Sequence, residues 1–181
     1  MGISAFVAHE DIEPTKEWQD EIELALSTQD VCVALLTEEF SNSKWTDQEI
    51  GIAIGRGVPI VSVRLGQDPY GFIGKFQAVT GAGKKSEEIA GELVQTFLGN
   101  ERLYHRMTSA LILSLEKTRS YVTANRLMEI IKTLPSLSPD LIKRLENAPE
   151  QNSNVKRAYK VQNALLSVIS RLKNKTEDGK E

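Results

Sequence analysis

The sequence predicts an α/β fold, a parallel sheet covered by helices over residues 1–99, followed by an α-helical module over residues 100–175 and a short disordered tail at 176–181. Three observations carry this expectation. Short apolar runs alternate with amphipathic stretches as far as Gly99, the pattern of strands joined by crossover helices. Beyond Gly99 the apolar side chains recur only at helical spacing. The charge balance reverses at the same place: residues 1–100 carry 7 Lys and Arg against 16 Asp and Glu, and residues 101–181 carry 15 against 9.

Taken in order, residues 3–8 (ISAFVA) read as a short strand. Residues 9–17 (HEDIEPTKE) form a polar loop, and Pro14 suits the first turn of the next helix, where a missing N–H costs nothing. That helix runs to about Ser27 with Trp18, Ile22, Ala25 and Leu26 on its inner face. Residues 31–36 (VCVALL) are unbroken apolar sequence, as expected of a strand covered on both sides. A helix from Trp45 ends near Gly55-Arg56-Gly57, and residues 59–65 (PIVSVRL) form another buried strand. Residues 66–76 are a Gly-rich loop with a short strand after it, and residues 86–98 form an amphipathic helix. In the module, Leu103, Met107, Leu111 and Leu115 share one helical face, as do Leu127, Ile130, Ile131 and Leu134. Ser138-Pro139 is a helix start, an N-cap followed by proline at the first helical position. Residues 141–145 and 155–172 complete a four-helix region, with no internal repeat.

Composition narrows the class. With 40% hydrophobic and 26% charged residues the chain is soluble and able to bury a core, and no apolar run approaches a membrane span. No basic stretch followed by an apolar one marks a secretory signal, so a cytoplasmic location is expected. The single cysteine, Cys32, lies inside an apolar strand and reads as a packed thiol. His9 and His105 are too few and too far apart for a metal or catalytic motif. The basic C-terminal half carries no nucleic-acid-binding motif, so its charge reads as a solvated face.

Glu49 is the first candidate for chemistry. Two residues four apart share a helix face, and the face of Trp45 and Glu49 also holds Ile50, Ile52, Ala53 and Ile54. A carboxylate aimed at the body of a protein must be paired, protonated or useful. The competing reading is a capping box, Thr46-Asp47-Gln48-Glu49, in which Glu49 only bonds back to the helix start. Ser43 is an equally good cap. Residues 66–74 lack the Gly-Lys-Ser/Thr ending of a phosphate-binding loop, and Tyr70 and Phe72 within them are candidates to border a pocket.

The succession of strand, EDIEPTKEW loop, helix, strand, SKWTDQE helix and GVPIVSVRL strand resembles the Toll/interleukin-1 receptor (TIR) domain in its bacterial form, over roughly residues 2–98. The most specific parts are the segment from Phe6 to Trp18 and the motif Trp45-x-x-x-Glu49. The resemblance implies a flavodoxin-like sheet and cleavage of the nicotinamide–ribose bond of NAD⁺, in bacterial signalling or defence. Glu49 matches the family's catalytic glutamate, and Trp45 would pack beside it. The loop at residues 9–16 corresponds to the family's loop over the substrate, which moves on assembly and offers Asp11 and Lys16 as polar contacts. Ser43 either caps the helix or reaches the ribose. NAD⁺ is then a substrate, and neither a metal nor a cofactor is implied. The family also implies self-association through TIR domains and contacts with other TIR proteins. A non-catalytic TIR adaptor is the alternative, and a response module is disfavoured by the lack of paired acids at strand ends.

One feature departs from the family. TIR domains begin with a strand and helix that have no counterpart here, and in the flavodoxin-like strand order 2-1-3-4-5 the missing strand is the central one. Three explanations stand open: a true start upstream of Met1, direct pairing of residues 3–8 with 31–36, or a strand supplied by a partner chain.

Overall fold

The computed structural model describes residues 3–7, 18–43 and 45–178. They fall into two compact units, Ala5–Leu103 and Tyr104–Glu181, the latter grouped with Met1–Ser4. In the first unit the elements run α1 (Trp18–Thr28), β1 (Cys32–Leu36), a 3₁₀ turn (Phe40–Asn42), α2 (Thr46–Gly55), β2 (Ile60–Arg64), a second 3₁₀ turn (Gly71–Ile73), β3 (Val79–Thr80) and α3 (Ser86–Leu98). The three strands are parallel in the order β1-β2-β3, with Cys32 opposite Ile60, Leu36 opposite Arg64 and Val63 opposite Val79. This is the flavodoxin-like arrangement the sequence predicts.

The sheet is parallel because α2 returns the chain from the end of β1 to the start of β2. A left-handed glycine stops α2. Gly57 sits at φ 67°, Gly57 N–H donates to Ile54 C=O at 2.9 Å, and Val58 N–H donates to Ala53 C=O at 2.8 Å. These paired bonds satisfy the last carbonyls of the helix. At Gly81 a Cβ would lie 2.7 Å from Leu65 Cδ2 and 2.8 Å from Val63 Cγ1, so only glycine lets the chain pass β2 this closely.

The core of this unit is small. Ala34, Leu36, Ile50 and Ile73 are buried together, with Cys32, Phe40 and Ile60 half-buried against them. Here three expectations are corrected. Residues 3–7 form no strand, and among the described residues β1 pairs only with β2, so direct pairing of 3–7 with β1 does not occur. Nor is β1 covered on both sides. Its Cys32, Ala34 and Leu36 face packs inward, while Leu35 on the other face is 51% exposed. The apolar arc of α2 is narrower than expected: Ile50 and Ala53 are buried and Glu49 is half-buried, whereas Ile52 and Ile54 are exposed. Ile54 follows Trp45 by nine positions, which at about 100° per residue places it half a turn away.

The second unit is helical: α4 (Glu101–Lys117), α5 (Tyr121–Ile131), α6 (Pro139–Gln151), a short α7 (Ser153–Lys156) and α8 (Tyr159–Asp178). Leu103, Met107, Leu111 and Leu115 are buried as their spacing predicts. In α5 the buried residues are Ala124, Asn125, Met128 and Ile131, and Leu127 and Ile130 are only half-buried. Ser120 caps α5 by accepting from Val122 and Thr123 N–H, and Ser138 caps α6 from Leu141 N–H with Pro139 behind it. The stretch at residues 155–172 is not one helix. It breaks after Lys156, where Arg157 ends α7 and the buried Ala158 precedes α8. Asn152 Oδ1 caps α7 through Asn154 N–H, and its Nδ2 donates to the carbonyls of Glu116 and Thr118 at 2.8 and 2.9 Å. No helix among the described residues is long and apolar enough to cross a membrane.

Candidate functional site

In an open parallel sheet, ligands bind outside the carboxyl ends of the strands. Because α2 runs back against β1, its first turn lies at that end. The connection from β1 to α2 and the loop that follows β2 both lie there as well. The candidate site therefore comprises the end of β1 at Leu36, the first turn of α2, and residues 65–78.

The helix starts at Thr46 with Trp45 in the cap position, and no side chain caps it. Thr46 Oγ1 instead donates to Phe40 C=O at 2.8 Å and to Ser43 C=O at 3.2 Å, tying the first residue of α2 to the 3₁₀ turn before it. Ser43 Oγ accepts from Trp45 N–H at 3.3 Å, a local turn ahead of the helix and not a cap on it. Glu49 N–H donates to Trp45 C=O at 2.9 Å, an ordinary first-turn helix bond. The capping-box alternative is not realised: Thr46 is already helical, and Glu49 makes no side-chain bond back to it.

The Glu49 carboxylate makes no hydrogen bond or ion pair with any described residue. Half-burial without compensation disfavours its charge, and desolvation pushes its pKa above the ordinary carboxylate value. Its charge is felt by Cys32, whose thiol is pushed up to about 11, chiefly by burial and secondarily by Glu49. Cys32 is thus a packed thiol with little thiolate at neutral pH.

The other site residues divide. Trp45 is 39% exposed, at the cap position one turn before Glu49. Ser43 is exposed and engaged with backbone. Asp11 and Lys16 lie outside the described residues, as does the side chain of Trp18, expected in the core. The loop after β2 approaches the same turn of α2: Tyr70 Oη donates to Asp47 Oδ1 at 2.8 Å, and the Tyr70 ring meets Phe40 edge-on at 6.3 Å. Burial, then the bond to Asp47, raises the Tyr70 pKa. Phe72, the other aromatic expected at a pocket border, is 76% exposed. Sequence reasoning gave Asp47 no role beyond its place in the capping-box motif. An acid in the first turn of a helix is ordinary dipole chemistry and gives no signal of a tertiary partner.

In this region the described residues hold no trio of His, Cys, Asp and Glu arranged for a metal ion. What the turn offers chemically is one desolvated carboxylate beside the carboxyl end of a parallel sheet, with aromatic and hydroxyl side chains nearby in sequence. Comparison with curated proteins and with solved structures finds no match. A family model for the TIR domain matches residues 1–94, more than half of the chain, and the chain therefore belongs to the TIR domain family.

Proposed function

We propose that this TIR domain cleaves the nicotinamide–ribose bond of NAD⁺, with Glu49 as the reacting carboxylate, and that it acts in bacterial signalling or defence by consuming NAD⁺. The observation that supports it most is the state of Glu49, a half-buried acid with no partner among the described residues, at the end of the sheet where such folds bind ligands. A structural acid in that position is normally paired.

The chemistry suits one carboxylate. The bond from ribose C1′ to the pyridinium nitrogen breaks, and its electron pair returns to the ring, so nicotinamide departs neutral and needs no proton. Positive charge develops at C1′ and the ring oxygen, and an ionised Glu49 beside the ribose stabilises it. Water or a hydroxyl of the substrate then attacks C1′ and releases a proton to solvent. Trp45 and Ser43, with Asp11 and Lys16 from the preceding loop, are the proposed substrate contacts. Because Glu49 acts as the anion and its pKa is raised by desolvation, the rate falls on the acid side with a midpoint shifted upward from the ordinary carboxylate value.

A second reading has its own observation. Leu35 on β1 and Ile52 and Ile54 on α2 are exposed apolar side chains, as expected of an assembly module that signals through TIR–TIR contact without catalysis. Nicotinamide release by concentrated full-length protein separates the two. Replacing Glu49 by Ala is expected to lower release by about a hundredfold or more. Equal release by the variant and the wild type would end the catalytic reading, and self-association without release in either would favour the adaptor.

A further inference from the structure

The Glu49 carboxylate has no hydrogen-bond partner among the described residues, so its position is set by the turn of backbone that carries it. What holds that turn decides where the acid points. We infer that Tyr70 is a positioning residue for Glu49, clamping the first turn of α2 from the side opposite the acid; this rests on the reading of Glu49 as the reacting group.

Tyr70 is well placed to clamp because its own segment is fixed at both ends. Ahead of it, Leu65 and Gln67 N–H both donate to Leu36 C=O, at 3.0 and 3.1 Å, stitching the loop to the end of β1. Behind it, Ile73 is buried in the same cluster as Ala34, Leu36 and Ile50. Between these anchors Gly71 turns the chain at φ 55°, a conformation that costs glycine nothing. Tyr70 then makes two contacts at once. Its hydroxyl donates to Asp47 in α2, and its ring meets Phe40, whose carbonyl accepts the Thr46 hydroxyl. The turn before the helix, the helix start and the loop after β2 are thereby joined at one side chain.

Asp47 precedes Glu49 by two positions, so the two side chains leave the helix about 200° apart. The clamp therefore grips the side of the helix turned away from Glu49, and the Tyr70 hydroxyl bonds Asp47 and not the acid. Losing the clamp lets the turn shift or fray, and a displacement of ångström scale at a reacting group costs rate without removing any substrate contact.

Tyr70→Phe tests the clamp, since it keeps the ring against Phe40 and removes the hydroxyl that bonds Asp47. In full-length protein the expected result is a kcat for NAD⁺ cleavage lowered about tenfold, with KM within about twofold and an unfolding midpoint close to wild type. Asp47→Ala removes the same bond from the other side and should lower kcat to a similar degree. The double variant should be no worse than either single one, because both delete one interaction. A wild-type kcat in Tyr70→Phe would overturn the proposal, and so would losses that multiply in the double variant. Glu49→Ala separates the two levels of argument. If it is inactive while Tyr70→Phe is unimpaired, the positioning role alone fails. If it cleaves NAD⁺ like the wild type, the catalytic reading and the positioning role fall together.

Discussion

The two units of this chain use polar groups in opposite ways. In the helical unit the buried Asn125 and the half-buried Asn152 and Arg171 close local accounts of backbone bonds. Asn125 Oδ1 accepts from Lys160 N–H, Asn152 serves two carbonyls and one amide, and Arg171 donates to the carbonyls of Lys132 and Leu134 at the end of α5. Around them Ile112, Leu115, Met128, Ile131, Leu145, Val155, Val161 and Leu172 are almost completely buried. Among the described residues of the TIR unit the large side chains buried to the same degree are Leu36 and Val63, and the half-buried acid has no hydrogen-bond partner there. One unit satisfies its groups and fills its core. The other leaves a charge desolvated beside a small core, the arrangement expected where a fold gives up stability for chemistry.

The largest effect that follows concerns the filled core. Leu145 on α6 is fully buried, so Leu145→Ala should destabilise the protein by about 2–5 kcal/mol, the sum of lost burial and a cavity its neighbours cannot close. Urea unfolding followed by circular dichroism measures it. A loss well under 1 kcal/mol would mean that the module is loosely packed and that the contrast between the units is false.

Next comes Asn152, whose amide joins the end of α4 to the start of α7. Asn152→Ala leaves the carbonyls of Glu116 and Thr118 without their donor and Asn154 N–H without its cap, and should cost about 1–3 kcal/mol. Amide exchange at Asn154 should accelerate with it. Unchanged exchange would show that water replaces the side chain without loss.

The same contrast explains what the sequence made legible. Leu103, Met107, Leu111 and Leu115 are spaced for one face and all are buried, because a helix packed on one side prints its period into the chain. In α5 the reading slips by one position: apolar residues stand at 127, 128, 130 and 131, and a period alone does not choose between Leu127 with Ile130 and Met128 with Ile131. Residues 31–36 mislead for a related reason. An apolar run reports that a strand can be covered on two faces, and Leu35 shows one face open. Glu49 was legible as an acid among apolar neighbours four residues from Trp45. Its clamp was not, because Tyr70 and Asp47 are 23 residues apart on two different connections and no local period relates them.

The smallest effect, and one of opposite sign, tests the TIR unit itself. Burial raises the folded pKa of Glu49 above the value the unfolded chain gives it. Between the two values the folded protein holds a proton that the unfolded chain has released, so stability falls as pH rises through that window and stays lowered above it. Glu49→Gln removes the ionisation and keeps the shape. It should therefore melt slightly above the wild type at neutral pH, and the difference should vanish below the ordinary carboxylate range, where Glu49 is protonated in both states. Thermal melts of both proteins across that range read the sign directly. A variant less stable than the wild type at neutral pH would mean that the charge of Glu49 is compensated in the fold, and the acid would then be a structural group like those of the helical unit.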